Sequence, residues 1–430
     1  MNPRRYSLAA LFLALPAAGV QAQDTTDRLR VFVDCAFFCD MDFLRTEIPW
    51  IDYMRDRADA DVHILATSQA TGGGGRRYTL EFIGLRAQSG RADTLLYTSS
   101  ANDTEDIRRR GLAQSIKLGL IPFIAASPLG QRLTITLAEP DAAAQDAAAD
   151  PQDDPWNFWT FRIGMSGAVE GESSRDYFRI SSNLSASRTT AQWKLNLSLN
   201  GSYNEQSFTF PVESGDTTIT SFTRNYSANS LVVKSVGPRL SLGARTTAST
   251  STFGNTSLSL TIMPAIEANV FPYAESTRRQ LTALYAAGFR TFEYRDTTIY
   301  DQTQETRPLH SLTLGYATRQ PWGSVNLSVE GSQYLHDRSK YSISTFGGVS
   351  DIRLFRGFSL NLFGNYELVR DQITLPKGDL TQDEVLLRQR ELATNYRFFL
   401  NAGISYRFGS IFNNVVNPRF DGAGGTFFFF

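Results

Sequence analysis

The chain has 430 residues and a formal net charge of −1, with 42 Lys and Arg against 43 Asp and Glu. That balance excludes a general electrostatic pull toward nucleic acid, and the length admits two or three domains or one large barrel. Aromatic residues are in excess, with 30 Phe and 17 Tyr, which suits girdles at a membrane surface or, equally, a large soluble β-sandwich core.

Residues 1–22 read as an export signal. Arg4 and Arg5 make the basic start, residues 8–19 the apolar run, and Val20, Gln21 and Ala22 the small-residue cleavage site. No Cys follows that site, which argues against a lipid anchor there. Beyond it no apolar run is long enough to cross a bilayer as a helix, so a membrane location would require strands.

Residues 28–138 read as an α+β unit on the periplasmic side. Residues 29–33 form a buried strand, and Asp40 caps a helix running toward Arg55 with Phe43, Leu44, Ile51 and Met54 on one face. Pro49 should kink or shorten that helix. Strands follow at 62–67, 78–85 and 94–98, and Asp103 or Thr104 caps a second helix that turns Ile107, Leu112, Ile116 and Leu120 inward. The expected order is β-α-β-β-β-α. Its only two cysteines, Cys35 and Cys39, are expected to pair as a disulfide in an oxidising compartment. A metal site would need more ligands, and the one nearby His is His63.

Residues 139–155 are rich in Ala, Asp and Pro and read as a mobile linker. From 156 to 410 apolar residues alternate with small polar ones, the mark of strands with one greasy face. Trp159, Phe161, Ile163 and Met165 begin the pattern, and Leu258, Leu260, Ile262 and Ile266 continue it. Phe398, Leu400, Ala402, Ile404, Tyr406 and Phe408 end it. Candidate strands start near 157, 175, 191, 217, 238, 256, 279, 305, 321, 338, 356 and 392. The fold class is therefore an antiparallel transmembrane β-barrel of about 12 strands behind an α+β periplasmic domain. Ser, Thr and Asn dominate the polar positions, as a wetted lumen requires, whereas the outer face of a soluble sandwich would carry more Lys and Glu. Tight turns are expected at 173–175, 236–238 and 356–357, with long links at 204–218, 295–306 and 370–391. Segment 382–391 has room for a helical turn.

Few residues suggest chemistry. His63 lies in a strand and reads as structural. A lipid-hydrolysing barrel would pair His310 or His336 with a Ser hydroxyl, but His310 is followed by Ser311, Leu312 and Thr313 rather than the His-x-Ser-Asn-Gly arrangement of such phospholipases. Gly72–Gly75 with Arg76 and Arg77 lacks phosphate-loop spacing and reads as a hairpin loop. Arg108, Arg109 and Arg110 read as a solvated helix face, and Asp59 and Asp61 as turn residues with no metal partner. No catalytic, cofactor or metal residue is assigned. The tail, residues 411–430, ends in Phe427, Phe428, Phe429 and Phe430, which suit a lipid boundary, the barrel mouth, a partner or a disordered end.

The segment from Phe398 through Leu400, Ile404 and Tyr406 to Phe408 resembles the terminal-strand signal of Gram-negative outer-membrane proteins, which the barrel assembly machinery reads through a final aromatic. That resemblance covers residues 157–408 and implies a location in the cell outer membrane. Family members usually stop at or next to that aromatic, so Phe408 and Phe430 both remain candidates for the role. The element order of the first unit, with Ala58, Asp59, Ala60, Asp61 and Val62 before its second strand, is similar to periplasmic domains of the TolB amino-terminal and curli-secretion CsgG type. It implies a periplasmic adaptor. The resulting expectation is an outer-membrane barrel with a structural, pore or envelope-assembly role, needing no cofactor. Its partners would be outer-membrane lipid, the assembly machinery and a periplasmic protein or the cell wall, not nucleic acid. The alternative is a lipid-hydrolysing barrel enzyme.

Overall fold

A computed structural model describes residues 28–35, 39–125, 127–136, 154–212, 215–378, 391–417 and 419. The expected export signal, most of the linker, nearly all of segment 382–391 and the four terminal Phe lie outside these residues.

The first unit is built on a five-stranded mixed sheet in the order β2-β1-β3-β4-β5. Its strands are β1 (Leu29–Asp34), β2 (Ile51–Tyr53), β3 (Val62–Ala70), β4 (Arg76–Gly84) and β5 (Ala92–Ser99). β1 runs parallel to β2 and β3, while β4 and β5 continue antiparallel. Helix α1 (Met41–Glu47) begins at Asp40, whose carboxylate accepts from the Phe43 N–H at 2.9 Å. It ends before Pro49, so the expected helix toward Arg55 is shorter and Ile51 starts a strand instead. A proline after the helix removes the next backbone donor, and the chain then pairs with β1. The order is thus β-α-β-β-β-β-α, one strand more than expected.

Helix α2 (Glu105–Ala125) is capped by Thr104, whose hydroxyl accepts from Ile107. Leu112, Ile116 and Leu120 are buried as expected, whereas Ile107 faces solvent. The helix lies flat on the sheet because Gly119 has no side chain: a Cβ there would sit 2.0 Å from the Phe82 ring. Phe82, Leu80, Ile64, Val31, Phe123 and Ile116 form the core beneath it.

The rest of the chain forms one 12-stranded antiparallel sheet in strict sequence order. Its strands are β6 (Trp159–Glu172), β7 (Arg175–Thr189), β8 (Trp193–Val212), β9 (Gly215–Ser235), β10 (Leu240–Ser251) and β11 (Thr256–Asn269). They continue as β12 (Arg279–Tyr294), β13 (Gln304–Gln320), β14 (Gly323–Tyr334), β15 (Tyr341–Ile352), β16 (Phe358–Val369) and β17 (Tyr396–Tyr406). All twelve sit near the expected starts. β8 and β9, of 20 and 21 residues, take up 204–212 and 215–218, so most of the link expected there is strand. The tight turn at 173–174 lies at the opposite end of the sheet from those at 236–239 and 353–357, because successive turns of a meander alternate ends.

The sheet is curled. Asn255, in the turn before β11, donates to the carbonyls of Asp296 and Thr374 at 2.9 Å each, bringing together turns that are several strands apart. The Ile299 N–H donates to the Leu375 carbonyl across the same end. Closure is not observed. Among the described residues β6 and β17 do not pair, so the sheet keeps two free edges where a complete barrel would have none.

Candidate functional site

Register fixes which residues share a face. Leu242 faces Ile266, Thr246 faces Ile262, and Ile262 faces Phe289. These residues point away from the curl: Ile262 is 48% exposed, and Ile163 on β6 is 83% exposed. The alternate row turns inward, where Ser259 is 9% and Ser241 8% exposed. The inner wall of β7 to β10 is knitted by amides and hydroxyls. Asn183 donates to Asn200 at 2.6 Å, Asn200 to Ser227 at 3.3 Å, and Ser251 to Asn225 at 2.7 Å. A greasy outside and a polar, hydrogen-bonded inside are thus set by one alternating pattern.

The concave face encloses a cavity of about 950 Å³ with walls drawn from β8 to β14. Seven flat strands would spread over roughly 29 Å, whereas such a cavity is roughly 12 Å across, so the sheet wraps around it. Lys194, Arg245, Arg290, Glu267 and Glu330 line it. Arg290 donates to Thr261 at 2.9 Å, Glu267 accepts from Tyr273 at 2.8 Å, and Glu330 accepts from Thr313 at 3.3 Å. The side chains of Lys194 and Arg245 make no hydrogen bond or ion pair with another described residue. The wall therefore carries two side-chain cations without a partner among the described residues.

The small unit covers the end of the sheet from which β6 starts. Arg278, in the turn before β12, meets Glu81 at 2.7 Å. Arg353 in the next-but-one turn at this end meets Asp34 at 3.0 Å, and Arg356 meets Asp59 at 2.8 Å. Asp56 accepts from the Gly357 N–H at 2.7 Å, and Gln69 donates to Ser276 at 3.1 Å. The residues after β17 then cross back and extend the small sheet. Phe412 bridges Met54 antiparallel, the Arg55 N–H donates to the Ile411 carbonyl, and the Asn413 N–H to the Tyr53 carbonyl. Asn414 seals this edge by bonding Asp52 at 2.8 Å and the Tyr53 N–H at 2.6 Å.

His63 is fully buried behind this interface, 3.4 Å from Asp34 and without hydrogen-bond geometry at either ring nitrogen. Burial is the largest influence on it and pushes its pKa below the usual imidazole value, although Asp34 pulls the other way. Burial alone would raise Asp34, but the adjacent His63 and the Arg353 guanidinium outweigh it and hold the carboxyl below its usual range.

Cys35 and Cys39 are joined by a disulfide that pins the start of α1 to the end of β1. Gly72–Gly75 makes the hairpin between β3 and β4, with the Thr71 N–H donating to the Gly75 carbonyl. Arg109 ties the helices together by pairing Asp40 and Asp106 and lying 4.4 Å over the Phe43 ring, where the sequence suggested only a solvated face. His310 stands on the outward face between Tyr285 and Gln333, at 3.3 and 3.4 Å, not beside a Ser hydroxyl. His336 packs on Tyr334 at the far end. Phe398, Leu400, Ile404, Tyr406 and Phe408 are all exposed on β17 and just beyond it. Asp59, expected as a plain turn residue, is a docking carboxylate. Arg278, Arg353 and Arg356 were not singled out by the sequence as docking residues; a position in a link between strands was their only mark.

No protein-family model matches the chain, and no curated protein matches it in sequence.

Proposed function

We propose that the protein is an outer-membrane β-barrel carrying a periplasmic adaptor unit over one mouth, with a structural, pore or envelope-assembly role. The observation that carries the reading is the outward exposure of Leu, Ile and Phe rows on a sheet whose inner row is Ser, Thr and Asn. In water such a belt is an aggregation hazard; in hydrocarbon it is the stable arrangement. Unpaired strand edges cost several kcal/mol for each backbone group left in lipid, so β6 and β17 zip together in the bilayer. An even strand count returns both ends of the sheet to the periplasmic side, where the small unit and residues 411–414 meet. Outer-membrane lipid, the barrel assembly machinery reading the β17 signal, and a periplasmic or cell-wall partner for the small unit are its partners. The polar cavity with free Lys194 and Arg245 makes an anion-favouring passage that the small unit covers.

Two measurements test this. Full-length protein in detergent should run at a shifted gel mobility until boiled, and it should resist carbonate extraction from membranes. Loss of both properties refutes the barrel. In planar bilayers, conductance that rises when Arg278, Arg353 and Arg356 are replaced by Ala supports a covered pore; no conductance in either form leaves the structural role and removes the pore.

A further inference from the structure

We propose that the cavity between the small unit and the turns before β14 and β16 binds the phosphate of an anionic phospholipid headgroup. The inference rests on the membrane reading above and names the lipid that the covered rim selects.

The cavity measures about 440 Å³, and four arginines line it: Arg57, Arg86, Arg353 and Arg356. A single carboxylate, Asp56, shares the wall, and its two oxygens already accept from the N–H groups of Ala58 and Gly357. Behind the wall Asp59 pairs with Arg356 at 2.8 Å and lies 3.8 Å from Arg86, while Asp34 takes Arg353. Four cations thus face three acids, and Arg57 is the surplus: its side chain has no hydrogen-bond or ion-pair partner among the described residues. A phosphodiester, with one negative charge and two free oxygens, matches a surplus guanidinium with three further arginines on the same cavity wall.

The surroundings choose lipid over free phosphate. Trp322 and Phe355 line the same cavity and are 45% and 58% exposed, and Leu354 beside them is 67% exposed. These side chains sit where the outward greasy rows end and the small unit begins, the level at which acyl chains give way to headgroups. The rest of this rim repeats the chemistry. Lys234 lies 5.5 Å over the Trp193 ring and Arg279 4.4 Å over Phe271, with Arg188 and Arg239 nearby. Cation and aromatic pairs facing outward hold an anionic leaflet at this end.

The test uses folded full-length protein in detergent micelles doped with either phosphatidylglycerol or phosphatidylcholine, with retained lipid counted by native mass spectrometry. Phosphatidylglycerol should be retained about tenfold over phosphatidylcholine, and Arg57→Gln should remove most of that preference. Arg57 has no partner to lose, so the heat-shifted mobility of this variant should be unchanged. Arg175→Gln, at the opposite rim, should leave retention intact. Equal loss in both variants, or equal retention of the two lipids, overturns the site while leaving the barrel standing. Displacement of phosphatidylglycerol by millimolar inorganic phosphate, with no effect of Phe355→Ser, overturns the lipid assignment in favour of a free anion. Absence of any heat-shifted form, together with extraction by carbonate, refutes the membrane reading itself.

Discussion

Placing a charge at the middle of the outward row separates a lipid-facing sheet from a water-facing one. β11 has 14 residues, and at about 3.3 Å each with a tilt near 40° it spans roughly 35 Å of depth. Ile262 is at its centre, beside Thr246 and Phe289, and is 48% exposed. Leu258 and Ile266 lie on the same row four residues either side, roughly 10 Å from the midplane and near the edge of the apolar band. In a bilayer Ile262→Arg should cost about 2–4 kcal/mol, which is roughly a 30- to 700-fold loss in the folding equilibrium. Leu258→Arg and Ile266→Arg should cost only about 1 kcal/mol, because a guanidinium that close to the surface reaches water. In water, by contrast, all three changes replace half-exposed residues and should fall within about 0.5 kcal/mol of one another. The assay is urea titration of protein folded into phosphatidylcholine vesicles, scored by the heat-sensitive gel shift. A flat profile across the three positions, or a maximum at either end, refutes the outward-facing argument.

Asn414→Ala removes the bonds to Asp52 and the Tyr53 N–H and leaves a buried carboxylate without that partner, at a cost of about 1–3 kcal/mol. Hydrogen exchange at Tyr53 and Arg55, whose N–H groups bond Asn414 and Ile411, should accelerate, and unchanged rates would show that the tail does not hold this edge. Gly119→Leu drives a side chain into the Phe82 ring and should destabilise the small unit by about 1–3 kcal/mol, read as a lower urea midpoint while the gel shift of the large sheet persists. Acid acts on the small unit in two stages, because the folded forms of His63 and Asp34 both bind protons less readily than the unfolded chain. Its stability is complete above the usual His value of 6.5 and declines as pH falls below it, with a second loss below 3.8 as Asp34 protonates. His63→Gln should flatten the first decline, and a stability that stays constant on acidification to about pH 5 would contradict the burial argument.

Much of the large sheet is legible because its information is local. A row such as Leu258, Leu260 and Ile262 announces a strand and its outward face without reference to any distant residue, and the twelve starts follow from it. The small unit is harder where helix and strand signals coincide. Leu44, Ile51 and Met54 share a helical spacing, yet Pro49 and pairing with β1 make Ile51–Tyr53 a strand. The docking residues are the least legible. Arg353 meets Asp34 across 319 residues, and no period in the sequence marks a pairing of that range. The function of Arg109 was hidden for the same reason, since its partner Asp40 lies on another helix cap.

The edge completed by residues 411–414 carries a consequence for biogenesis. Tyr53 receives its partner Asn414 across 361 residues, so the small sheet is finished by a stretch synthesised long after its own strands. Until β17 has been laid down, β2 offers an open template to any passing extended segment. Seating of this segment is therefore a late event: only a chain made through Asn414 can cover that border, and one cut short before it keeps a strand-pairing surface exposed.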